Sequence, residues 1–133
     1  MIETRKYKKG DLICTEGAPG DEMYLVLSGK VSVYKTQNCQ KISLTTLGKN
    51  DFFGEMRLLL GLPRTASVEA QEATEIMIIP RKNFLAKLKD DPRFAGRMLQ
   101  VLARRLVDAH EVIKNLEGEK ASLEIIYKSR SSV

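Results

Sequence analysis

The sequence predicts an α+β domain: a roll of short strands, of the small-barrel or jelly-roll kind, followed by helices, the last of them long. Three observations carry that prediction. Glycines punctuate residues 10–80, apolar residues between them alternate or run for only a few positions, and after Pro80 the apolar period becomes helical. With 133 residues the chain is one domain by length, and 43% hydrophobic against 29% charged residues suits a globular fold with its own core.

Gly10, Gly17, Gly20, Gly29, Gly48 and Gly61 mark turns. Residues 23–27, then Ser28-Gly29, then residues 30–35 read as a hairpin, with Val31 and Val33 on one face and Lys30, Ser32 and Tyr34 on the other. Ile42, Leu44 and Thr46 give a third, alternating strand, residues 67–70 a fourth and residues 75–79 a fifth. Many short strands between turns are the mark of a barrel or jelly roll.

Residues 81–89 place Phe84, Leu85 and Leu88 on one helical face, and Asp90-Asp91-Pro92 ends that helix. Asp91 as N-cap with Pro92 behind it starts the next. If it runs to Tyr127, its 36 residues span about 54 Å. Leu99, Leu106 and Ile113 recur at seven, as do Leu102, Ala109, Leu116 and Leu123 offset by three, an a/d pattern that a second copy of the helix would bury. Met98, Val101 and Arg105 lie beside that seam, and Gly118 weakens the helix near its end. The expected organisation is a roll with a short helix over residues 1–91, the long helix over 92–128 and a disordered tail over 129–133.

Composition excludes several function classes. No apolar run approaches the roughly 20 residues of a membrane helix. No secretory signal follows Arg5, Lys6, Lys8 and Lys9, so the expected location is the cytoplasm and no membrane partner is implied. Cys14 and Cys39 suit a reducing compartment. His110 is the only histidine, which argues against a multi-histidine metal site, a cupin-type enzyme or a serine triad, so no enzyme, metal or resident cofactor is expected. Residues 1–80 carry ten charges of each sign, and the whole excess of +5 falls after residue 80. There the basic residues alternate with Asp108, Glu111, Glu117, Glu119 and Glu124, as on a solvated helix, so direct nucleic-acid binding is not expected.

The densest chemistry is Phe52-Phe53-Gly54-Glu55-Met56-Arg57-Leu58-Leu59-Leu60-Gly61-Leu62-Pro63-Arg64-Thr65-Ala66-Ser67. A glycine between strand and helix exposes backbone N–H groups that favour an anion. Arg64 offers a planar fork for phosphate oxygens, and Glu55 can accept from a sugar hydroxyl. Such a set suits a small phosphorylated sugar, although Glu55 and Arg64 could equally form a plain ion pair across the loop.

With Lys9-Gly10-Asp11, Glu16-Gly17, Gly20-Asp21, residues 24–33 and the closing Leu102 to Leu106, this order of motifs resembles the cyclic nucleotide-binding domains of the catabolite activator protein, protein kinase regulatory subunits and cyclic-nucleotide-gated channels. The resemblance implies a double-stranded β-helix, a jelly-roll-like β-roll of about eight strands, ahead of the helices. It implies that Gly54 and the next backbone N–H groups, at Glu55 and Met56, hold the cyclic phosphate, that Arg64 neutralises it and that Glu55 takes the ribose 2′-hydroxyl. Thr65, with Ala66 beside it, would contact the phosphate or the base. Val33, Leu44 and Leu47 would line the pocket, and the long helix would cover the base, with Arg105, Ala109 and His110 as lid candidates.

Three departures from the family pattern stand out. Arg57, itself among the ligand-binding candidates, replaces a usually small residue two positions after Glu55 and would either crowd the pocket or add a second positive charge to it. Asn50 replaces a turn glycine. Asp108, Ala109 and His110 offer neither of the two hydroxyls that the catabolite activator protein turns to adenine, which leaves the base open, cyclic AMP ahead of cyclic GMP. The expected function is a cyclic nucleotide sensor, homodimeric through residues 92–127, acting on an unknown effector protein. The competing reading is a degenerate roll that binds no nucleotide and serves as an interaction module.

Overall fold

The structure, a computed structural model, describes residues 2–117. It divides into two units, residues up to 86 and residues from 87 onward. The first unit is an antiparallel β-sandwich. Its strands are β1 (Glu3–Tyr7), β2 (Leu12–Cys14), β3 (Glu22–Ser28), β4 (Val31–Gln37), β5 (Gln40–Leu47), β6 (Phe52–Phe53), β7 (Ser67–Ala70) and β8 (Thr74–Pro80), with the short helix α1 (Glu55–Leu60) between β6 and β7. One sheet has the order β1-β8-β3-β6 and the other β2-β7-β4-β5. The chain therefore folds as one long antiparallel ribbon with β4 and β5 at its tip, rolled up so that β3 meets β6, β2 meets β7 and β1 meets β8.

That arrangement corrects the expected hairpin across Ser28-Gly29. β3 pairs with β6 and β8, β4 pairs with β5 and β7, and the two consecutive strands lie in different sheets. Gly29 is the corner. Its φ is +91°, and a Cβ there would sit 2.5 Å from Ala73 O and Thr74 Oγ1, so only glycine lets the chain pass under the turn between β7 and β8. The neighbouring Lys30 carbonyl accepts from Gln71 N (2.9 Å) and Thr74 Oγ1 (3.1 Å), which fastens corner to turn. The tight hairpin lies instead between β4 and β5, where Asn38 and Cys39 both adopt positive φ, 52° and 62°, the pattern of a primed turn.

β5 is a strand, but its alternation is broken. Val33 faces Thr45 while Tyr34 faces Ser43, so Leu44 is a bulged extra residue. Ile42 and Leu44 are exposed, and Leu47 packs on the core. Tyr34, expected on the face away from Val31, is buried as well, its ring covered by Lys41 Nζ at 4.3 Å.

The core joins both sheets. Tyr24, Val26, Phe53, Ile76 and Ile78 come from the first, Val31 and Val68 from the second. Tyr24 and Phe53 are register partners with rings stacked at 4.8 Å. Phe84, early in α2 (Arg81–Asp90), is fully buried. Asn50 takes the left-handed conformation required of the glycine it replaces, φ 74°, with its N–H on Val26 O at 2.8 Å.

In the second unit α3 (Pro92–Glu117) runs 26 residues, about 39 Å. Asp91 caps it, its Oδ1 accepting from the N–H groups of Arg93 (3.1 Å) and Phe94 (3.2 Å). Those bonds, the one from Phe94 first, and Lys87 beside it hold the Asp91 carboxyl below its ordinary pKa. On the expected seam Leu99, Leu106 and Ala109 are exposed, while Leu102 and Ile113 are half-buried. The helical stretch expected over 118–127, with Leu123, and the tail over 129–133 lie outside the described residues.

Candidate phosphate site

The site grows from the end of β6. Phe52 and Phe53 are buried and anchor the strand, and Gly54 follows at φ 86°, turning the backbone straight into α1. Glu55, the first helical residue, is 6% exposed, its carboxylate at the end of the helix that tolerates an anion. α1 closes at Gly61, also left-handed, whose N–H bonds Arg57 O.

Arg64 lies against this turn and is only 6% exposed. Its Nη1 donates to Gly54 O at 3.1 Å, its Nη2 to Glu22 O at 2.8 Å, and its guanidinium lies 5.4 Å from the ring centre of Tyr24. Two glycines make room for it. A Cβ would fall 2.7 Å from Nη1 at Gly54 and 2.8 Å from Nη2 at Gly20. The backbone of Arg64 is held too, since Gly17 N donates to its carbonyl at 2.8 Å.

The two carbonyls orient the fork without supplying a counter-charge, and they use two of its five N–H donors. A cation so placed lowers the cost of bringing an anion alongside. Its charge is felt at Cys14, where burial pushes the thiol up to about 11 and Arg64 pulls the other way. Burial, with the Glu22 carboxylate adding to it, also raises the Tyr24 hydroxyl well above the ordinary tyrosine range. That hydroxyl donates to Glu22 Oε1 at 3.2 Å.

Gly54, Glu55 and Arg64 are thus brought together as one constellation. Met56 and Thr65 are exposed beside it and Ala66 is half-buried. Val33 and Leu47 pack on the sandwich core, whereas Leu44, the bulged residue, is 51% exposed. Arg57 is held by two backbone carbonyls: its Nε donates to Gly20 O at 2.9 Å and its Nη1 to Gly61 O at 3.0 Å. Arg105, Ala109 and His110 lie on α3 in the second unit. Sequence reasoning did not identify Gly20, Glu22 and Tyr24 as the seat of Arg64. The dipeptide Gly20-Asp21 is legible in sequence as a turn and as part of the motif order but not as a seat for Arg64, because the need for bare backbone there arises from a side chain 44 positions away.

Comparison with known proteins identifies the family. Residues 4–91 match the family model described as cyclic nucleotide-binding domain. The chain belongs to that family. It is 36% identical over 127 residues to the cyclic AMP receptor protein of Thermus thermophilus, covering 95% of this chain and 59% of the relative. The crystal structure of the Thermus thermophilus catabolite activator protein superposes with a TM-score of 0.78 at 37% identity, over 86% of this chain and 55% of that one. The cAMP-bound form of an EAL enzyme superposes with a TM-score of 0.64 at 32% identity, over 84% of this chain and 30% of that one. The cGMP-bound form of the same enzyme gives 0.62 at 32%, over 78% and 28%. This cyclic nucleotide-binding domain spans about half the length of the curated relatives it matches, 59% and 48% for the first two. Among the described residues no helix is long and apolar enough to cross a membrane.

Proposed function

We propose that this chain is a non-enzymatic cytoplasmic sensor that binds cyclic AMP or cyclic GMP, cyclic AMP ahead, at the turn formed by Gly54, Glu55, Met56 and Arg64. The observation that carries the proposal is Arg64: a buried guanidinium seated on two carbonyls, with donors to spare, beside a left-handed glycine and a buried acid. The cyclic phosphate lies against Arg64 and the N–H groups after Gly54, and Glu55 accepts from the ribose 2′-hydroxyl. Thr65 and Ala66 border the phosphate, while Val33, Leu44 and Leu47 form the apolar side of the pocket.

The sensor acts as a homodimer through residues 92–127. The exposure of Leu99 (68%) and Leu106 (42%) supports this, since an apolar stripe at heptad spacing is stabilised when a second copy covers it. Nucleotide shifts the population of dimer geometries, and an effector protein reads the change.

Calorimetric titration with cyclic AMP and cyclic GMP tests the reading. The expected result is saturable heat with at least one nucleotide, weakened about 100-fold or more in Arg64→Ala. Arg64→Lys, which keeps charge but not the fork, falls between. A folded wild-type protein silent with both nucleotides overturns the proposal in favour of the non-binding interaction module.

A further inference from the structure

Three consecutive carbonyls leading into β3, at Gly20, Asp21 and Glu22, each hold a different arginine. Gly20 O accepts from Arg57 Nε at 2.9 Å, Asp21 O from the backbone N–H of Arg81 at 2.8 Å, and Glu22 O from Arg64 Nη2 at 2.8 Å. Further bonds tie the arginines to one another. Arg81 Nη2 donates to Arg57 O at 3.3 Å, and the Asp21 carboxylate stands 3.7 Å from both Arg57 Nε and Arg81 Nη2. With Nη1 on Gly61 O, Arg57 fastens both the middle and the end of α1 to this strip.

Gly20 is where the two cassette arginines meet. Its carbonyl is held by Arg57, and its Cα faces Arg64 so closely that a Cβ would lie 2.8 Å from Nη2. A shift of the Gly20 peptide would therefore move the seat of Arg64. The ion pairs to Asp21 are long, and the Asp21 side chain is 64% exposed, so their Coulomb contribution is small. What Arg57 supplies is geometry, through two bonds from a charged donor to fixed carbonyls.

We propose that Arg57 is a positioning residue of the nucleotide site: it locks the Gly20 carbonyl, and with it the strip that seats Arg64, and makes no contact with the ligand phosphate. The proposal rests on the cyclic nucleotide reading above. An arginine touching the phosphate would add a salt-screened attraction. A positioning arginine changes affinity by the same factor at every ionic strength.

Two measurements decide it, each on the full chain with folding checked by thermal melting. In the ligand-free protein, nitrogen-detected NMR follows solvent exchange of the Arg64 guanidinium protons. Exchange is expected to accelerate about tenfold in Arg57→Ala, the order of one bond to a charged donor. Arg57→Gln, whose neutral amide still reaches a carbonyl, is expected to recover part of the protection. Calorimetry with cyclic AMP at low and high salt should show about a tenfold weaker affinity for Arg57→Ala, equal at both salts, again with partial recovery in Arg57→Gln. Unchanged Arg64 exchange overturns the proposal. So does an affinity loss that shrinks as salt rises with Gln no better than Ala, which would put Arg57 on the phosphate. If the wild type binds neither nucleotide, the reading of the site fails, and the exchange measurement alone still decides whether Arg57 holds the seat of Arg64.

Discussion

The core of the sandwich and the heptad stripe of α3 treat their apolar residues in opposite ways. Val26, Val31 and Ile76 keep no exposed surface, enclosed between two sheets of the same chain, whereas Leu99 is 68% exposed and Leu106 42%. A rolled ribbon closes its own core because each strand finds a partner and the two sheets face each other. A single helix with a heptad stripe has no such means and depends on something that covers the stripe. The stability of the sandwich should therefore be a property of one chain and, on the proposed dimer, the state of α3 a property of concentration.

The largest effect expected from that contrast is in the core. Ile76→Ala, at a site with 0% exposure, should destabilise the sandwich by roughly 2–5 kcal/mol in urea unfolding. A loss under 1 kcal/mol would mean that the core is looser than its burial indicates. Replacing Leu99 and Leu106 together by Lys should leave sandwich unfolding within about 0.5 kcal/mol while converting the proposed dimer to monomer in sedimentation equilibrium. An unchanged mass would break the comparison, because the stripe would then be no interface.

The smallest effect is at the start of α3. A carboxyl with a depressed folded pKa stabilises at pH values above its unfolded pKa, and that contribution is lost as pH falls through the folded value. Helix content should therefore hold down to about pH 4 and then decline. In Asp91→Asn, which retains a cap acceptor but cannot titrate, circular dichroism should show that component of the decline removed. Parallel titration curves for the two proteins would exclude Asp91 as its source.

Much of the fold is legible in sequence because many of its signals are local. The strands β7 and β8, the helix α2 and the start of α3 fall where turn residues, Pro80 and Asp91-Pro92 place them. Three strands escaped sequence reading. β1 is a charged edge strand, exposed at four of its five positions, while β2 has three residues and β6 two, too short for any alternation. The Ser28-Gly29 corner is not legible in sequence, because a glycine between two apolar strands reads alike whether the chain turns back or crosses to the other sheet. The contact that distinguishes the two, Gly29 against Ala73 and Thr74, comes from far along the chain. Within the site, Gly54, Glu55 and Arg64 could be selected by residue type and order, whereas the direction in which Arg57 points could not.

The sequence by itself determined the change of period at Pro80, the cap at Asp91, the heptad stripe and the order of the cassette, since each depends on neighbours within a few residues. Tertiary structure alone decided which sheet receives β3 and which β4, why Leu44 is pushed out of the alternation, and what holds the two arginines. Arg57 and Arg64 reach carbonyls 37 and 42 positions away, and such partners exist only once the ribbon has rolled up.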